Sequence, residues 1–194
     1  MKDLLIFLAD GFEDIEALTV CDYLRRADLN VDLVSITDSK EVVSAHGVKV
    51  MADLTFSEII FEDYKAIYIP GGLPGATNLA EDKRVCESVE MYAQEDKLVA
   101  AICAGPIVFD KVKLLKEGKY TCYPGFEKNI ETKGRVDEPI VIDENVITAM
   151  GPSFAQVLAF KLIEMLKGEE AAQAVKEGTL FTNLVEFIKE GKVK

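Results

Sequence analysis

Short apolar runs alternating with helical patterns constrain this chain's fold more than any other feature. Residues 4–9, 31–36, 66–69 and 98–102 are mainly aliphatic and bounded by charged or turn-forming residues, the pattern of strands buried on both faces. Between them, residues 14–27 and 82–94 are amphipathic with helical spacing. Gly151-Pro152 opens a long apolar helix over 153–167 that Gly168 ends. Residues 41–43 and 48–51 read as a hairpin with Ser44-Ala45-His46-Gly47 at its tip. Residues 120–122, 140–143 and 146–148 read as further strands, the last two joined around Glu144-Asn145. The alternation predicts an α/β fold, a mostly parallel sheet with helices on both faces. A length of 194 residues without repeats or low-complexity linkers suits one domain over 1–177, followed by a helical extension over 178–194. In that extension Leu180, Phe181, Leu184, Val185, Phe187 and Ile188 recur at helical spacing, which predicts packing on the core or on another subunit.

Charge narrows the function. A net charge of −12 argues against nucleic acid or an anionic membrane as partner, because phosphates are bound by clustered Lys and Arg. Cys21, Cys86, Cys103 and Cys122 form no CxxC pair and no metal-like spacing with His46, so neither metal nor cofactor is expected. Free thiols in a reducing cytoplasm are the expectation. The apolar run near the N-terminus is too short for a signal peptide, and no stretch approaches membrane-spanning length, so a soluble, cytoplasmic protein is expected.

In open α/β sheets ligands sit beyond the carboxyl ends of the strands, where three loops fall here: 10–16, 70–75 and 102–105. In the last, Cys103 ends an apolar strand and Ala101, Ala104 and Gly105 are small enough for a sharp turn into a helix begun by Pro106. That is a nucleophile-elbow pattern, and a helix start there predicts a thiol pKa below its free value. The plainer alternative is a buried cysteine in a strand–helix loop. Helical steps place Glu16 in line with Val20, Tyr23, Leu24 and Ala27 on the inward face, so its carboxyl is desolvated and can hold a proton near neutrality. Glu13 and Asp14 can stay in solvent; all three acids could instead simply serve the helix start. Gly71-Gly72 lets backbone amides approach a ligand, and the Ala104 amide would complete an oxyanion hole.

Together, residues 10–16, Pro70-Gly71-Gly72 and Ala100-Ala-Ile-Cys-Ala-Gly-Pro106 resemble the ThiJ/PfpI superfamily, which is class I glutamine-amidotransferase-like. The likeness runs from about residue 2 to residue 176 and is greatest to the Parkinson disease protein deglycase branch. It implies a flavodoxin-like sandwich and a homodimer formed partly by the first helix and the early hairpin. It also implies Cys103 as reactive cysteine, Glu16 as its protonated partner, Gly72 and Ala104 as amide donors, and Arg26 near the site. Tyr123 stands where many members carry a histidine, and tyrosine is a poor base at pH 7. His46 is either an exposed turn residue or one delivered across the dimer to the partner's site. The resemblance implies an enzyme acting on reactive dicarbonyls or glycated side chains, glyoxalase III-like or deglycase-like. The alternatives are an oxidative-stress sensor or chaperone working through Cys103 oxidation and an interaction module. A cysteine peptidase or amidase is disfavoured because no histidine follows residue 46.

Overall fold

Alternate residues of β1 (Lys2–Leu8) enter two different cores: Leu4, Ile6 and Leu8 one, Leu5 and Phe7 the other. A strand buried on both sides in this way needs helices on both sides. The computed structural model describes residues 2–193. After β1 come α1 (Asp14–Arg26), β2 (Val31–Ser35), β3 (Glu41–Val43), β4 (Lys49–Met51), β5 (Leu54–Thr55) and β6 (Tyr64–Ile69). They are followed by α2 (Gly75–Glu81), α3 (Lys83–Gln94), β7 (Leu98–Ile102) and α4 (Pro106–Lys111). The chain continues as β8 (Ile140–Asp143), β9 (Val146–Ala149), α5 (Ala155–Lys167), α6 (Glu169–Gly178) and α7 (Phe181–Lys189).

Seven strands form one sheet in the order β5-β2-β1-β6-β7-β9-β8, and β3 pairs antiparallel with β4 outside it. Every neighbour in the large sheet is parallel except β8, which runs antiparallel to β9 at the edge. α1, α5 and α6 cover one face, where Val20, Leu24, Leu158, Leu162 and Ala172 meet Leu4, Tyr68 and Ala100. The helices α2, α3 and α4 cover the other, where Leu79, Val89 and Phe109 meet Phe7, Ile67 and Val99. β1, β6 and β7 are central, so the loops after them meet at one edge in the middle of the molecule.

Residues 120–122 are not a strand. They are buried, but their partners come singly: the Thr121 amide donates to the Thr148 hydroxyl, and Tyr120 O accepts from the Val136 amide. Without a continuous ladder the segment is irregular backbone satisfied residue by residue. α7 rests on α5 through the Phe181 ring, whose centroid lies 4.8 Å from that of Phe160, and it leaves Leu184, Phe187 and Ile188 exposed. No helix among the described residues is long and apolar enough to cross a membrane.

Candidate active site

β7 hands the chain to Cys103 in a left-handed conformation, φ 62°, which an L residue adopts only when its surroundings impose it. Three backbone hydrogen bonds do so. The Cys103 amide donates to Ala149 O at 3.0 Å, the Tyr123 amide to Cys103 O at 3.0 Å, and the Gly105 amide closes the turn on Ile102 O at 2.7 Å. Gly105 has no alternative, because a Cβ there would stand 2.6 Å from the carbonyl oxygen of Ile69.

Glu16, in the first turn of α1, is fully buried. Its Oε2 accepts from the Gly71 amide at 2.7 Å, and its backbone carbonyl accepts from the hydroxyl of the buried Tyr68 at 3.1 Å. Gly71 is wedged between the two reactive groups: a Cβ on it would lie 2.6 Å from Glu16 Oε2 and 2.8 Å from Cys103 Cβ. The structure therefore brings Glu16, Gly71, Gly72, Cys103 and Ala104 together, from the loops after three neighbouring strands. The sequence reading missed Tyr68, a tyrosine in a buried strand whose hydroxyl had to find a partner.

Burial pushes Glu16 up to about 7, against the pull of hydrogen bonds from Cys103 and the Gly71 amide; the charge of Glu13 adds to the rise. Its Oε1 is buried and has no hydrogen bond of regular geometry. The Cys103 thiol is also raised, first by burial, then by the charge of Glu16 and by donating to it, while the Ala104 and Gly72 amides oppose the rise. This corrects the expectation of a thiol lowered by a helix start. α4 is a single six-residue helix begun by Pro106, which has no amide hydrogen, and the amides that face the sulfur come from the elbow and the glycine loop instead. Two raised acids in contact titrate as a pair. Above about pH 7 the pair keeps one proton and one negative charge. The Gly72 and Ala104 amides favour the charge on sulfur with the proton on Glu16, whereas the Gly71 amide favours it on the carboxylate with the proton on sulfur.

The hairpin β3–β4 closes over the start of α1. Gly11 N donates to Val43 O, Val43 N to Asp10 Oδ1 and Ala45 N to Phe12 O, each at 2.8 Å. At the tip His46 Nδ1 lies 2.8 Å from Asp14 Oδ2 and 3.8 Å from Glu13 Oε1. Glu13 and Asp14 are thus half-buried and paired rather than simply solvated, and His46 serves its own chain's first helix. These three residues bring ligand atoms within 4.8 Å of one another, a grouping hidden in sequence because the hairpin assembles it. The ion pairing already accounts for it. Burial works to raise Asp14, but hydrogen bonds from Ser44 and His46 outweigh it and hold the carboxyl below the usual range. The same Asp14 bond, then the charge of Glu13, raises His46. A raised histidine stabilises the fold fully below its ordinary value of 6.5 and ceases to as pH climbs through its folded value. Asp14→Asn is expected to move the NMR titration midpoint of this lone histidine down toward 6.5; an unmoved midpoint would mean the pair does not form in solution.

Arg26 does not join the site. It is the last residue of α1, about 15 Å of helix rise from Glu16, and its exposed guanidinium pairs with Asp22 at 2.6 Å. A helix cannot present its first and last turns to the same loop. Tyr123 does approach: its amide binds Cys103, and its ring edge rests on Gly151, another residue that sequence reading did not connect to the site.

Comparison with known proteins shows the family. Residues 2–165 match the model of the DJ-1/PfpI family. Protein DJ-1 homolog B of Arabidopsis thaliana is 33% identical over 91% of this chain, which spans only 41% of that protein's length. The glutathione-independent glyoxalase DJ-1 of Schizosaccharomyces pombe is 30% identical over 90% of this chain and 96% of its own. The solved structure titled Toxoplasma gondii DJ-1, oxidized, superposes with a TM-score of 0.87 at 34% identity, covering 93% of this chain and 98% of that one. The sheet and its helical layers are therefore those of a flavodoxin-like sandwich. A glycine-wedged cysteine and glutamate on that scaffold, with sequence similarity along nearly its whole length, make this chain a member of the DJ-1/PfpI family.

Proposed function

We propose that the chain is a cofactor-independent enzyme that converts 2-oxoaldehydes to 2-hydroxy acids. One observation carries this reading: a half-buried thiol on a strained elbow faces a buried carboxyl that titrates near 7, with two amides turned toward the sulfur. The glyoxalase name of the fission-yeast relative supports it.

Cys103 thiolate attacks the aldehyde carbon, a C–S bond forms, and the carbonyl pair moves to oxygen. The Gly72 and Ala104 amides stabilise that oxygen while it takes the Glu16 proton, giving a hemithioacetal. Glu16, now a carboxylate, removes the hydrogen on the carbon bound to sulfur, the electron pair shifts toward the neighbouring ketone, whose oxygen takes up the hydroxyl proton of the first carbon, and the abstracted proton returns from Glu16 to that second carbon. The product is the thioester of a 2-hydroxy acid. Water then breaks the C–S bond, releasing the acid and regenerating the thiol. One carbon is oxidised and its neighbour reduced, one water is consumed, and no outside redox partner enters. Methylglyoxal yields lactate and glyoxal yields glycolate. Release of glycated amines or thiols would use the same groups. Peptidase chemistry has less support, because His46 is held by Asp14 and Glu13 and not by Cys103. The exposed apolar Ile15, Val48 and Met51 on α1 and the hairpin support the homodimer that this reading includes. Lactate formation from methylglyoxal by the wild type but not by Cys103→Ser tests the proposal; equal background in both would reject it.

A second reading has its own support. The carboxyl and amides around the sulfur would also hydrogen-bond a sulfinate, and the Toxoplasma relative is described as oxidised. Mild peroxide should then add two oxygens at Cys103 and little at Cys21, Cys86 or Cys122, as read by peptide mass spectrometry. Equal oxidation of all four would exclude a sensor role.

A further inference from the structure

Gly151 has an extended backbone, φ 172°, that any residue can adopt, so conformation does not explain a glycine there. Its neighbourhood does. A Cβ on Gly151 would meet Tyr123 Cδ2 at 3.1 Å and Cε2 at 3.7 Å and no other atom within 4 Å. The glycine is a seat for one edge of that ring. The other end of Tyr123 is tied to the nucleophile, since its amide donates to Cys103 O at 3.0 Å. Fixed at both ends, Tyr123 is still 52% exposed. A second exposed apolar side chain, Leu73 at 55%, follows Gly72, whose amide faces the sulfur. The segments that hold the sulfur thus carry large carbon surfaces in solvent. An aromatic side chain left in solvent on the segment that hydrogen-bonds the nucleophile's backbone offers its surface to whatever group accompanies the reacting carbon.

We propose that the ring of Tyr123, seated on Gly151, selects 2-oxoaldehydes bearing an aryl or other large apolar substituent on the ketone carbon. This rests on the 2-oxoaldehyde reading for the reaction, but the ring's selectivity can be measured apart from it. Aryl substrates gain ring contact and apolar burial against Tyr123, on the order of tenfold in kcat/KM; glyoxal, which has no substituent, gains nothing.

The test uses the full chain and two paired measurements. The first is the ratio of kcat/KM for phenylglyoxal over methylglyoxal. The second is the ratio of alkylation rates at Cys103 for N-phenyliodoacetamide over iodoacetamide, followed by peptide mass spectrometry. Tyr123→Ala is expected to lower both ratios about tenfold. Tyr123→Phe should retain them within about twofold, since the ring and not the hydroxyl acts. Gly151→Ala, which crowds the ring without touching the thiol, should lower them in the same direction. Unmoved ratios in Tyr123→Ala, or a fall as deep in Tyr123→Phe as in Tyr123→Ala, would overturn the proposal. If the wild type converts no oxoaldehyde yet the alkylation ratio falls in Tyr123→Ala, the reaction is wrong and the ring's selectivity stands. If turnover is found and neither ratio moves, the selectivity alone is wrong.

Discussion

Cys103→Ser is expected to lower kcat/KM for methylglyoxal by a factor on the order of 10⁴ to 10⁶, the scale at which removal of a covalent nucleophile acts. A serine hydroxyl ionises far above a thiol, and a carboxyl titrating near 7 cannot take its proton to a useful extent. The substitution changes one atom and leaves in place the three backbone hydrogen bonds that shape the elbow. Thermal unfolding of the variant should therefore track the wild type while lactate production disappears. Retention of more than about one per cent of the activity would show that sulfur forms no bond to the substrate.

Glu16→Gln should act on both rate and stability. Turnover is expected to fall by about 10² to 10⁴, because glutamine can neither give nor take a proton. Cys103 alkylation in the wild type should rise through a midpoint near 7, and that step should vanish in the variant. The stability effect has a definite sign. Glu16 is raised from 4.5 to about 7, so the folded state binds its proton more tightly than the unfolded chain does. Its favourable share is complete below 4.5 and is lost as pH rises to about 7, a swing of about 3 kcal/mol. Glutamine has no such swing. Relative to wild type, Glu16→Gln should therefore gain up to about 3 kcal/mol in urea denaturation between pH 4.5 and pH 8. The same wild-type-to-variant difference at both pH values would mean that Glu16 ionises as freely folded as unfolded.

Sequence patterning revealed the sheet because β1, β6 and β7 are buried on both faces, and such strands leave unbroken apolar runs. It did not reveal α2, whose inward residues, Gly75, Ala76, Leu79 and Ala80, are mostly small and make a faint stripe. α6 was hidden for a similar reason, with Ala172 and Val175 as its only buried residues. Residues 120–122 misled in the opposite direction, since burial alone makes a strand-like pattern and pairing is decided by distant Thr148 and Val136. At the site, the periodicity of α1 was enough to turn Glu16 inward. It could not show that the Gly71 amide would bind the Glu16 carboxyl or that Tyr68 would brace the carbonyl of Glu16, because those contacts span more than fifty residues. The direction of the thiol shift was misjudged because a helix start was weighed, and neither the burial of the sulfur nor the adjoining acid's charge was.

The left-handed backbone at Cys103 has a consequence for how such a molecule can be improved. A glycine would sit there with less strain, so selection for a tougher protein alone would drift away from cysteine. Attempts to harden this scaffold by random mutagenesis, if scored only on heat resistance, should accumulate replacements at that position and deliver robust but inert molecules.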